Sequence, residues 1–325
     1  MRVAVVHRPG GPEALEFAEM PLPQVRSGWV RIRVKAFGLS RSELYARRGD
    51  YPEMEFPRVL GTECVGLVEE AGPGTAFHPG QAVAAVMGGM GRLFDGCYAE
   101  YVVAPATHVM SLESKLPWDT LAALPKSYLT ALGALDTLDL AAGQTFLIRG
   151  ATSSVGMAAL NLARDLGVMV IATTRSPAKA EALRAAGADQ VVIDSGTLEE
   201  VLRLVPGGVQ ALLEMIGAAT LRDSLLTMAP KGVLCYMGYL GEQASIDQFQ
   251  VLEDIPSGVR LTVYASRPTI NAANCTEALQ HIVDGVASSR YRANLDHVFP
   301  FDEIVAAHRY MDESRATGKI VVTVP

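Results

Sequence analysis

Residues 144–156 read Gln-Thr-Phe-Leu-Ile-Arg-Gly-Ala-Thr-Ser-Ser-Val-Gly. The apolar run at 145–148 predicts a strand that stops at Gly150, and the residues that follow have the apolar spacing of a helix. Gly167 closes that helix, and a second continuous apolar strand follows at 168–172. An order of strand, turn, helix and strand is typical of the unit that holds the pyrophosphate of a dinucleotide.

The turn itself explains this expectation. Unpaired backbone N–H groups and the positive end of the helix dipole make a helix N-terminus a binding site for phosphate, provided that the chain there lacks bulk. We therefore predict that Gly150, Ser153, Ser154, Val155 and Gly156 bind the cofactor. The two serine hydroxyls either bind phosphate oxygens or only cap the helix. The turn alone would equally fit an ordinary small-residue turn, and the flanking elements favour the cofactor site.

Composition narrows the class of protein. The chain has 325 residues, 49% of them hydrophobic, and a net charge of −7. The length predicts about two domains. The negative charge gives no sign of a surface that binds nucleic acid or an anionic membrane. Charged residues interrupt the first apolar run, so we expect no signal peptide, and no apolar stretch reaches the ~18 residues of a membrane span. The four cysteines form no C-x-x-C pair. We expect a cytoplasmic protein without disulfides or a structural zinc.

The first 118 residues predict a β-rich domain of barrel type. Pro and Gly clusters separate its apolar or alternating runs, and a short helix is expected at 40–48. The runs of strand length lie at 2–6, 29–36, 65–70, 82–86 and 99–104.

From residue 119 onward, helical and apolar strand patterns alternate as far as 265, which predicts an α/β nucleotide-binding domain with a doubly wound parallel sheet. Ligands of such sheets bind beyond the carboxyl ends of the strands, where Gly150, Thr174, Met215 and Gly238 are expected to converge. A closing strand is predicted at 319–324. It needs a partner, so we assign residues 1–118 and 266–325 to one discontinuous β-rich domain.

The end of the second strand of the nucleotide unit indicates the choice of cofactor. A domain that prefers NAD usually carries Asp or Glu there to bind the ribose hydroxyls. This chain instead has Thr174, Arg175 and Ser176, with Lys179 one turn later. Arginine binds phosphate through two N–H groups and Lys179 and Ser176 add donors, so we predict NADPH. The alternative is that both cations only line a solvated helix face.

A set of short motifs extends along the whole chain. They are Gly38-Leu39-Ser40-Arg41-Ser42-Glu43, Gly49-Asp50-Tyr51-Pro52, Phe56-Pro57-Arg58-Val59-Leu60-Gly61-Thr62-Glu63, Gly96-Cys97-Tyr98-Ala99-Glu100-Tyr101, Thr130-Ala131 and Gly318-Lys319-Ile320-Val321-Val322. Together with the nucleotide turn, they resemble the zinc-free quinone oxidoreductase branch of the medium-chain dehydrogenase/reductase superfamily. The resemblance implies a GroES-like barrel domain beside a Rossmann domain. It also matches Lys179 to a phosphate-binding lysine and Thr130 to a threonine near the nicotinamide.

Two positions separate the chain from the zinc enzymes of that superfamily. Where those enzymes have a zinc-binding Cys and a zinc-binding His, this chain has Ser40 and Thr62. A catalytic zinc needs about three protein ligands and one open position, so we expect no metal. Ser40 also replaces the Asn of the quinone oxidoreductase pattern, and its shorter side chain leaves its role in binding open.

Without a metal, the expected substrate is one that delocalises the charge created by hydride transfer, such as a quinone or an α,β-unsaturated carbonyl compound. The resemblance makes Tyr51 the first candidate for a proton donor, because related enoyl-thioester reductases use a tyrosine in this loop. Tyr51 could equally pack its loop onto the barrel. Ser40 and Thr62 are further catalytic candidates. For Thr130, the alternative is a buried threonine bonded to its own helix.

The apolar run 259–265 is expected to form an exposed sheet edge, which a second copy would cover. We therefore predict a homodimer that acts on a small hydrophobic carbonyl or quinone, with no membrane or nucleic-acid partner. Two alternatives remain: an enoyl-thioester reductase of lipid or polyketide synthesis, and an NADPH-binding sensor or interaction protein with little catalysis.

Overall fold

A computed structural model describes all 325 residues. The chain divides into two compact units, Met1–Leu129 with Arg267–Pro325, and Thr130–Ser266. We call them the β-rich unit and the nucleotide unit. The first division falls after Leu129, within a helix, whereas the sequence pattern predicts it at 118.

Sixteen strands and eleven α-helices make up the two units. The strands are β1 Arg2–Val6, β2 Leu15–Glu19, β3 Trp29–Gly38, β4 Arg58–Val59, β5 Glu63–Ala71, β6 Ala82–Val86, β7 Tyr101–Pro105, β8 Val109–Ser111, β9 Thr145–Arg149, β10 Met169–Thr174, β11 Gln190–Ile193, β12 Val209–Glu214, β13 Met228–Tyr236, β14 Arg260–Val263, β15 Leu295–Pro300 and β16 Lys319–Thr323. The helices are α1 Arg41–Arg48, α2 Trp118–Ala122, α3 Pro125–Asp136, α4 Ser154–Arg164, α5 Ala180–Ala186, α6 Glu199–Leu204, α7 Leu221–Leu226, α8 Val251–Asp254, α9 Ser266–Thr269, α10 Ala272–Ala287 and α11 Ile304–Asp312.

The β-rich unit is built on a seven-stranded sheet with the order β15-β16-β3-β5-β6-β8, in which β7 also pairs with β3. A smaller sheet has the order β2-β1-β4. Strand β16, near the end of the chain, pairs antiparallel with β3, with Val322 opposite Phe37. Buried apolar side chains from both ends of the chain therefore share one core, in which Phe37 stacks on Tyr98 with their ring centroids 4.7 Å apart.

The nucleotide unit is a six-stranded sheet with the order β11-β10-β9-β12-β13-β14. Every neighbouring pair in it is parallel, which confirms the predicted parallel sheet. All five side chains of β9 are buried, because a central strand of such a sheet is covered on both faces. Strand β14 forms one edge, and its Val263 is 67% exposed.

Several elements differ from the sequence prediction. The helical pattern that begins near residue 119 forms two helices, α2 and α3, and Pro125 is the first residue of the second. Proline fits there because the first turn of a helix needs no N–H donor. Strands β2, β4, β8 and β15 were not predicted, since each is short or only partly apolar. No helix combines the length and apolar character needed to cross a membrane.

Candidate functional site

The turn after β9 has the geometry of a capped helix start. Gly150 has φ +87°, a left-handed conformation that favours glycine. The hydroxyl of Ser153 accepts a hydrogen bond from the N–H of Gly156 at 3.1 Å and donates one to the carbonyl of Gly150 at 3.0 Å. Ser153 therefore caps α4, one of the two roles that the sequence allows. Ser154 and Val155 follow as the first two residues of the helix and are partly exposed.

Two glycines are required by close backbone packing around this turn. A Cβ atom on Gly156 would lie 2.6 Å from the carbonyl oxygen of Ala151, and one on Gly238 would lie 1.9 Å from that of Met215. Both distances are far below van der Waals contact, and both neighbours are backbone atoms. Glycine is therefore required at each position.

The predicted convergence at the carboxyl ends of the strands is present in the structure. Gly150 follows β9, Thr174 ends β10, Met215 follows β12 and Gly238 lies just after β13, and these four strands are neighbours in the sheet. A Cβ atom on Gly150 would lie 3.6 Å from the Cβ of Met215. The four positions therefore line one edge of the sheet, which is where ligands bind in this architecture.

A buried arginine that was not predicted from the sequence holds this edge together. Arg149 directly precedes Gly150 and is fully buried. It binds both carboxylate oxygens of Asp194, at 2.8 and 3.0 Å, and one oxygen of Asp223 at 2.7 Å. Glu214, also buried, accepts from the N–H groups of the loop that follows β12, at 2.7 and 3.0 Å. The sequence signal for Arg149 is its position as a charged residue at the end of the otherwise apolar strand β9.

The residues after β10 are accessible for a phosphate. The N–H of Ser176 donates to the hydroxyl of Thr174 at 3.2 Å, which fixes the turn. Arg175 is exposed and makes no ion pair, and Lys179 is half-buried at the end of the short 3₁₀ turn Pro177–Lys179. No carboxylate lies between Thr174 and Lys179. These residues therefore fit the 2′-phosphate of NADPH, and contact with it stays a prediction.

Thr130 has an unsatisfied hydroxyl. Its side-chain oxygen is buried and has no hydrogen-bond partner, as does the oxygen of Ser127 one turn earlier on α3. The alternative in which Thr130 bonds its own helix is therefore not what the structure shows. A buried polar atom without a partner costs about 1–3 kcal/mol. These residues fit a group that a bound ligand supplies, as the predicted nicotinamide would.

The β-rich unit contains a buried cluster of charges around Ser40 and Thr62. Lys319 forms an ion pair with Glu63, and both side chains are 1% exposed. The same ammonium group donates to the hydroxyl of Ser40 at 3.2 Å. The second oxygen of Glu63 accepts from the backbone N–H of Lys126 at 3.0 Å. Ser40 also precedes α1, and its own N–H donates to Glu43 at 2.7 Å.

A second ion pair completes this cluster. The ammonium group of Lys126 donates to Thr62 at 2.7 Å and to Ser42 at 2.8 Å, and it lies 3.6 Å from Glu43. The hydroxyl of Thr62 donates its only proton to Glu43. Burial lowers the pKa of Lys126, an effect that Glu43 and Glu63 oppose. Burial alone would raise the pKa of Glu43, but Lys126 and the hydrogen bond from Thr62 reverse this, so that its pKa is lowered.

This cluster does not fit the catalytic zinc of the zinc-dependent dehydrogenases. Ser40 and Thr62 are each hydrogen-bonded to a lysine ammonium group, and a cation there opposes a second, divalent one. The structure has no group of three or more His, Cys, Asp or Glu side chains that could hold a metal ion. Nearby, Cys97 donates from its thiol to the carbonyl of Glu63 at 3.0 Å. Hydroxyls and ammonium groups are not the ligand set that zinc needs.

Tyr51 lies against an arginine. The guanidinium carbon of Arg92 is 3.5 Å from the centroid of the Tyr51 ring. Burial raises the pKa of Tyr51, and the positive charge of Arg92 opposes part of that rise. The phenol is therefore protonated at neutral pH and can donate its proton. Arg92 was not singled out from the sequence, although it follows the glycine-rich loop Met87-Gly88-Gly89-Met90-Gly91.

Comparison with known proteins places this arrangement in a family. Residues 26–114 match the family model "Alcohol dehydrogenase GroES-like domain", and residues 186–322 match "Zinc-binding dehydrogenase". The chain is 30% identical to a 2-haloacrylate reductase from Burkholderia sp, with 98% of each chain covered. It is also 30% identical to a quinone oxidoreductase from Pseudomonas aeruginosa, with 96% of each covered. The chain belongs to the medium-chain dehydrogenase/reductase superfamily.

Within that superfamily it lies in the quinone oxidoreductase-like branch and is an oxidoreductase. A mycobacterial protein solved in complex with NADPH superposes with a TM-score of 0.88 at 26% identity, with 99% of each chain covered. A nicotinamide cofactor is therefore supported. The predicted fold, a GroES-like domain with a parallel-sheet Rossmann domain, is confirmed. The chain also matches 8% of a pikromycin polyketide synthase component from Streptomyces venezuelae, at 33% identity.

Proposed function

We propose that this oxidoreductase transfers a hydride from NADPH to quinones or α,β-unsaturated carbonyl compounds without a zinc ion. The observation that carries the proposal is that lysine ammonium groups bind Ser40 and Thr62, the positions where zinc enzymes have ligands. An acceptor that spreads negative charge over a conjugated system needs no Lewis acid. The relatives named quinone oxidoreductase and 2-haloacrylate reductase support such acceptors.

The residues of the nucleotide unit support NADPH as the cofactor, which supplies the hydride when it is bound. The turn from Gly150 to Gly156 would hold the pyrophosphate at the N-terminus of α4. Arg175 and Lys179 would bind the 2′-phosphate, and the unpartnered hydroxyl of Thr130 would bond the nicotinamide amide. Each of these groups orients the cofactor and takes no part in the proton transfer.

Tyr51 is the proposed proton donor. Reduction of an enone adds a hydride to the β carbon and a proton to the α carbon, and the intermediate enolate needs a hydrogen-bond donor. Tyr51 holds its proton because burial raises its pKa. Thr62 directs its only proton to Glu43, and the hydroxyl of Ser40 points to Glu63 at 3.5 Å. Both hydroxyls are therefore engaged with carboxylates of the cluster, which leaves Tyr51 as the proposed donor.

The test is oxidation of NADPH, followed by absorbance, against a panel of quinones and enones for the wild type and Tyr51→Phe. We expect the variant to lose about 10²-fold in kcat with enones, because general acid catalysis contributes roughly 10²–10⁴-fold. Tyr101→Phe, on strand β7 and outside the cluster, is the matched control. Equal rates for wild type and Tyr51→Phe would remove Tyr51 from the mechanism.

Two other functions are separated by the same assay. The match to a polyketide synthase component favours enoyl-thioester reduction as a second candidate, which crotonyl thioesters in the panel would reveal. A sensor or interaction protein would bind NADPH in a titration but never consume it with any acceptor. Consumption with quinones or free enones alone supports the first proposal.

We also propose a cytoplasmic homodimer. Strand β14 is an edge of the nucleotide sheet, and of its two apolar side chains Leu261 is partly exposed and Val263 is exposed. An uncovered apolar edge invites pairing, and a second copy of β14 would cover it. The four cysteines form no C-x-x-C pair, a pattern that is compatible with a reducing compartment. Sedimentation as a monomer at micromolar concentration would contradict the dimer.

A further inference from the structure

Arg92 carries a donor that nothing in the protein satisfies. Its Nη1 atom is buried and has no hydrogen-bond partner, although its guanidinium group is stacked on Tyr51 at 3.5 Å. Arginine has five N–H donors and cannot lose its charge. A buried guanidinium N–H without an acceptor is therefore a position where a ligand oxygen is expected.

The charge balance of the surrounding cluster leads to the same conclusion. Glu43 pairs with Lys126, and Glu63 pairs with Lys319, so these four buried charges cancel in pairs. Arg92 forms no ion pair, yet it is close enough to Lys126 to help lower the pKa of that lysine. One positive charge of the cluster is thus left without a carboxylate. A half-buried charge is stabilised by a partner of opposite sign.

The loop that carries Arg92 holds it next to the proposed catalytic residues. The N–H of Met87 donates to the carbonyl of Thr62 at 2.8 Å. Gly91, with φ +72°, packs so closely on Gly61 that a Cβ atom would lie 2.6 Å from its carbonyl oxygen. The backbone on both sides of the loop is therefore fixed against residues 61–62. The guanidinium group is thereby held over the Tyr51 ring, with Nη1 left without a partner.

We propose that this free edge of Arg92 binds a carboxylate group of the reducible acceptor. The substrate class would then be unsaturated carbonyl compounds that carry a carboxylate, rather than neutral quinones. The inference rests on the proposed reductase function. Carboxylate is the favoured anion because its two oxygens match the planar fork of arginine, and because the same anchor would place the conjugated system beside the Tyr51 hydroxyl.

The experiment compares two enones that differ only in charge, β-benzoylacrylate and its methyl ester. With saturating NADPH, the wild type should reduce the acid with at least a tenfold higher kcat/KM than the ester, since charge-assisted hydrogen bonds are strong. Arg92→Gln should lose about 10–100-fold on the acid, mainly through KM, and less than about threefold on the ester. Arg92→Lys should recover only part of the loss, because lysine lacks the planar fork.

Arg26→Gln is the matched control. Arg26 also stacks on an aromatic ring of the β-rich unit, with its guanidinium carbon 3.8 Å from the centroid of Trp29, but it is exposed. It should leave the preference for the acid unchanged. Equal kcat/KM values of the wild type for acid and ester would overturn the inference while leaving the reductase function intact. The inference would also be overturned if Arg92→Gln raised the Kd of NADPH by the same factor as it lowered kcat/KM for the acid. The anion that Arg92 binds would then be a phosphate of the cofactor.

A binding measurement separates the two proposals if neither compound is reduced. Calorimetric titration of β-benzoylpropionate, the saturated product, into the enzyme loaded with NADP⁺ requires no turnover. Binding that Arg92→Gln weakens at least tenfold would support the carboxylate site even if the reductase function fails. Binding that the variant leaves unchanged would overturn the site.

Discussion

The ammonium group of Lys126 lies 2.7 Å from the hydroxyl of Thr62, inside the β-rich unit. The two residues are 64 positions apart in the chain, and the hydroxyl of Thr62 in turn donates a hydrogen bond to Glu43. The buried ammonium and the buried carboxylate therefore depend on each other. Their place beside Ser40 and Thr62 makes this pair the feature that distinguishes the site from a zinc centre.

Lys126→Met should destabilise the protein by about 3–5 kcal/mol, because it leaves the carboxylate of Glu43 buried without its cation. Urea denaturation gives the free energy of unfolding. Glu43→Gln should also destabilise, since it leaves the Lys126 ammonium group uncompensated. The double variant removes both charges, so its loss should be at least ~1 kcal/mol smaller than the sum of the single losses. Additive losses would show that the pair is not coupled.

Gly238→Ala should reduce the affinity for NADPH at least tenfold. Its Cβ atom would lie 1.9 Å from the carbonyl oxygen of Met215, so the loop after β13 has to move away from the proposed cofactor edge, at a cost of about 1–3 kcal/mol. Gly207→Ala is the matched control in the same unit, because a Cβ atom there meets nothing within 4 Å. Fluorescence titration measures both, and similar Kd values for the two variants would contradict the prediction.

The parts of the fold that the sequence predicts are those with local periodicity. Strands β1 and β6 have the predicted bounds, and α4 begins at Ser154 as its capping residue indicates. The two-residue strand β4 has too few side chains for any pattern and is defined only by its pairing with β1. Short strands of this kind are fixed by tertiary contacts, which local sequence does not contain.

The candidate site likewise has a part that the sequence predicts and a part that it does not. The turn from Gly150 to Gly156 is recognisable because its chemistry is contiguous in sequence. The role of Lys126 is not, because it depends on contacts with residues that are distant in the chain. The contact of Glu43 with Ser40 could have been predicted, since Ser40-x-x-Glu43 is the pattern of a capping box. The carboxylate of Glu43 does accept a hydrogen bond from the N–H of Ser40.

Arg175→Ser should raise the Kd of NADPH at least tenfold and leave that of NADH within about twofold, because a charge-assisted hydrogen bond contributes roughly 1.5–3 kcal/mol. Arg175 is exposed and has no ion-pair partner to lose, so the variant should fold normally. Arg203→Ser, another exposed arginine of the nucleotide unit, is the control. Equal weakening of both cofactors would place Arg175 outside the 2′-phosphate site.

His308 gives the β-rich unit a pH-dependent stability. The ring is fully buried, with Nδ1 2.8 Å from Nη1 of Arg47 and Nε2 2.9 Å from the hydroxyl of Tyr98. A guanidinium group only donates, so Nδ1 accepts and Nε2 carries the proton of a neutral imidazole. Burial, together with the positive charge of Arg47, lowers the pKa of His308 well below its usual value.

The sign of the effect follows from proton binding. Below pH ~6.5 this histidine is protonated in the unfolded chain but not in the folded protein. The free energy of unfolding therefore falls by as much as ~1.4 kcal/mol for each unit by which the pH is lowered. His308→Asn keeps an acceptor for Arg47 but cannot titrate. Urea denaturation between pH 7.5 and 5 should therefore give a shallower pH dependence for the variant, since the other five histidines are common to both proteins. Parallel curves would mean that His308 is protonated in the folded state, with Arg47 displaced from Nδ1.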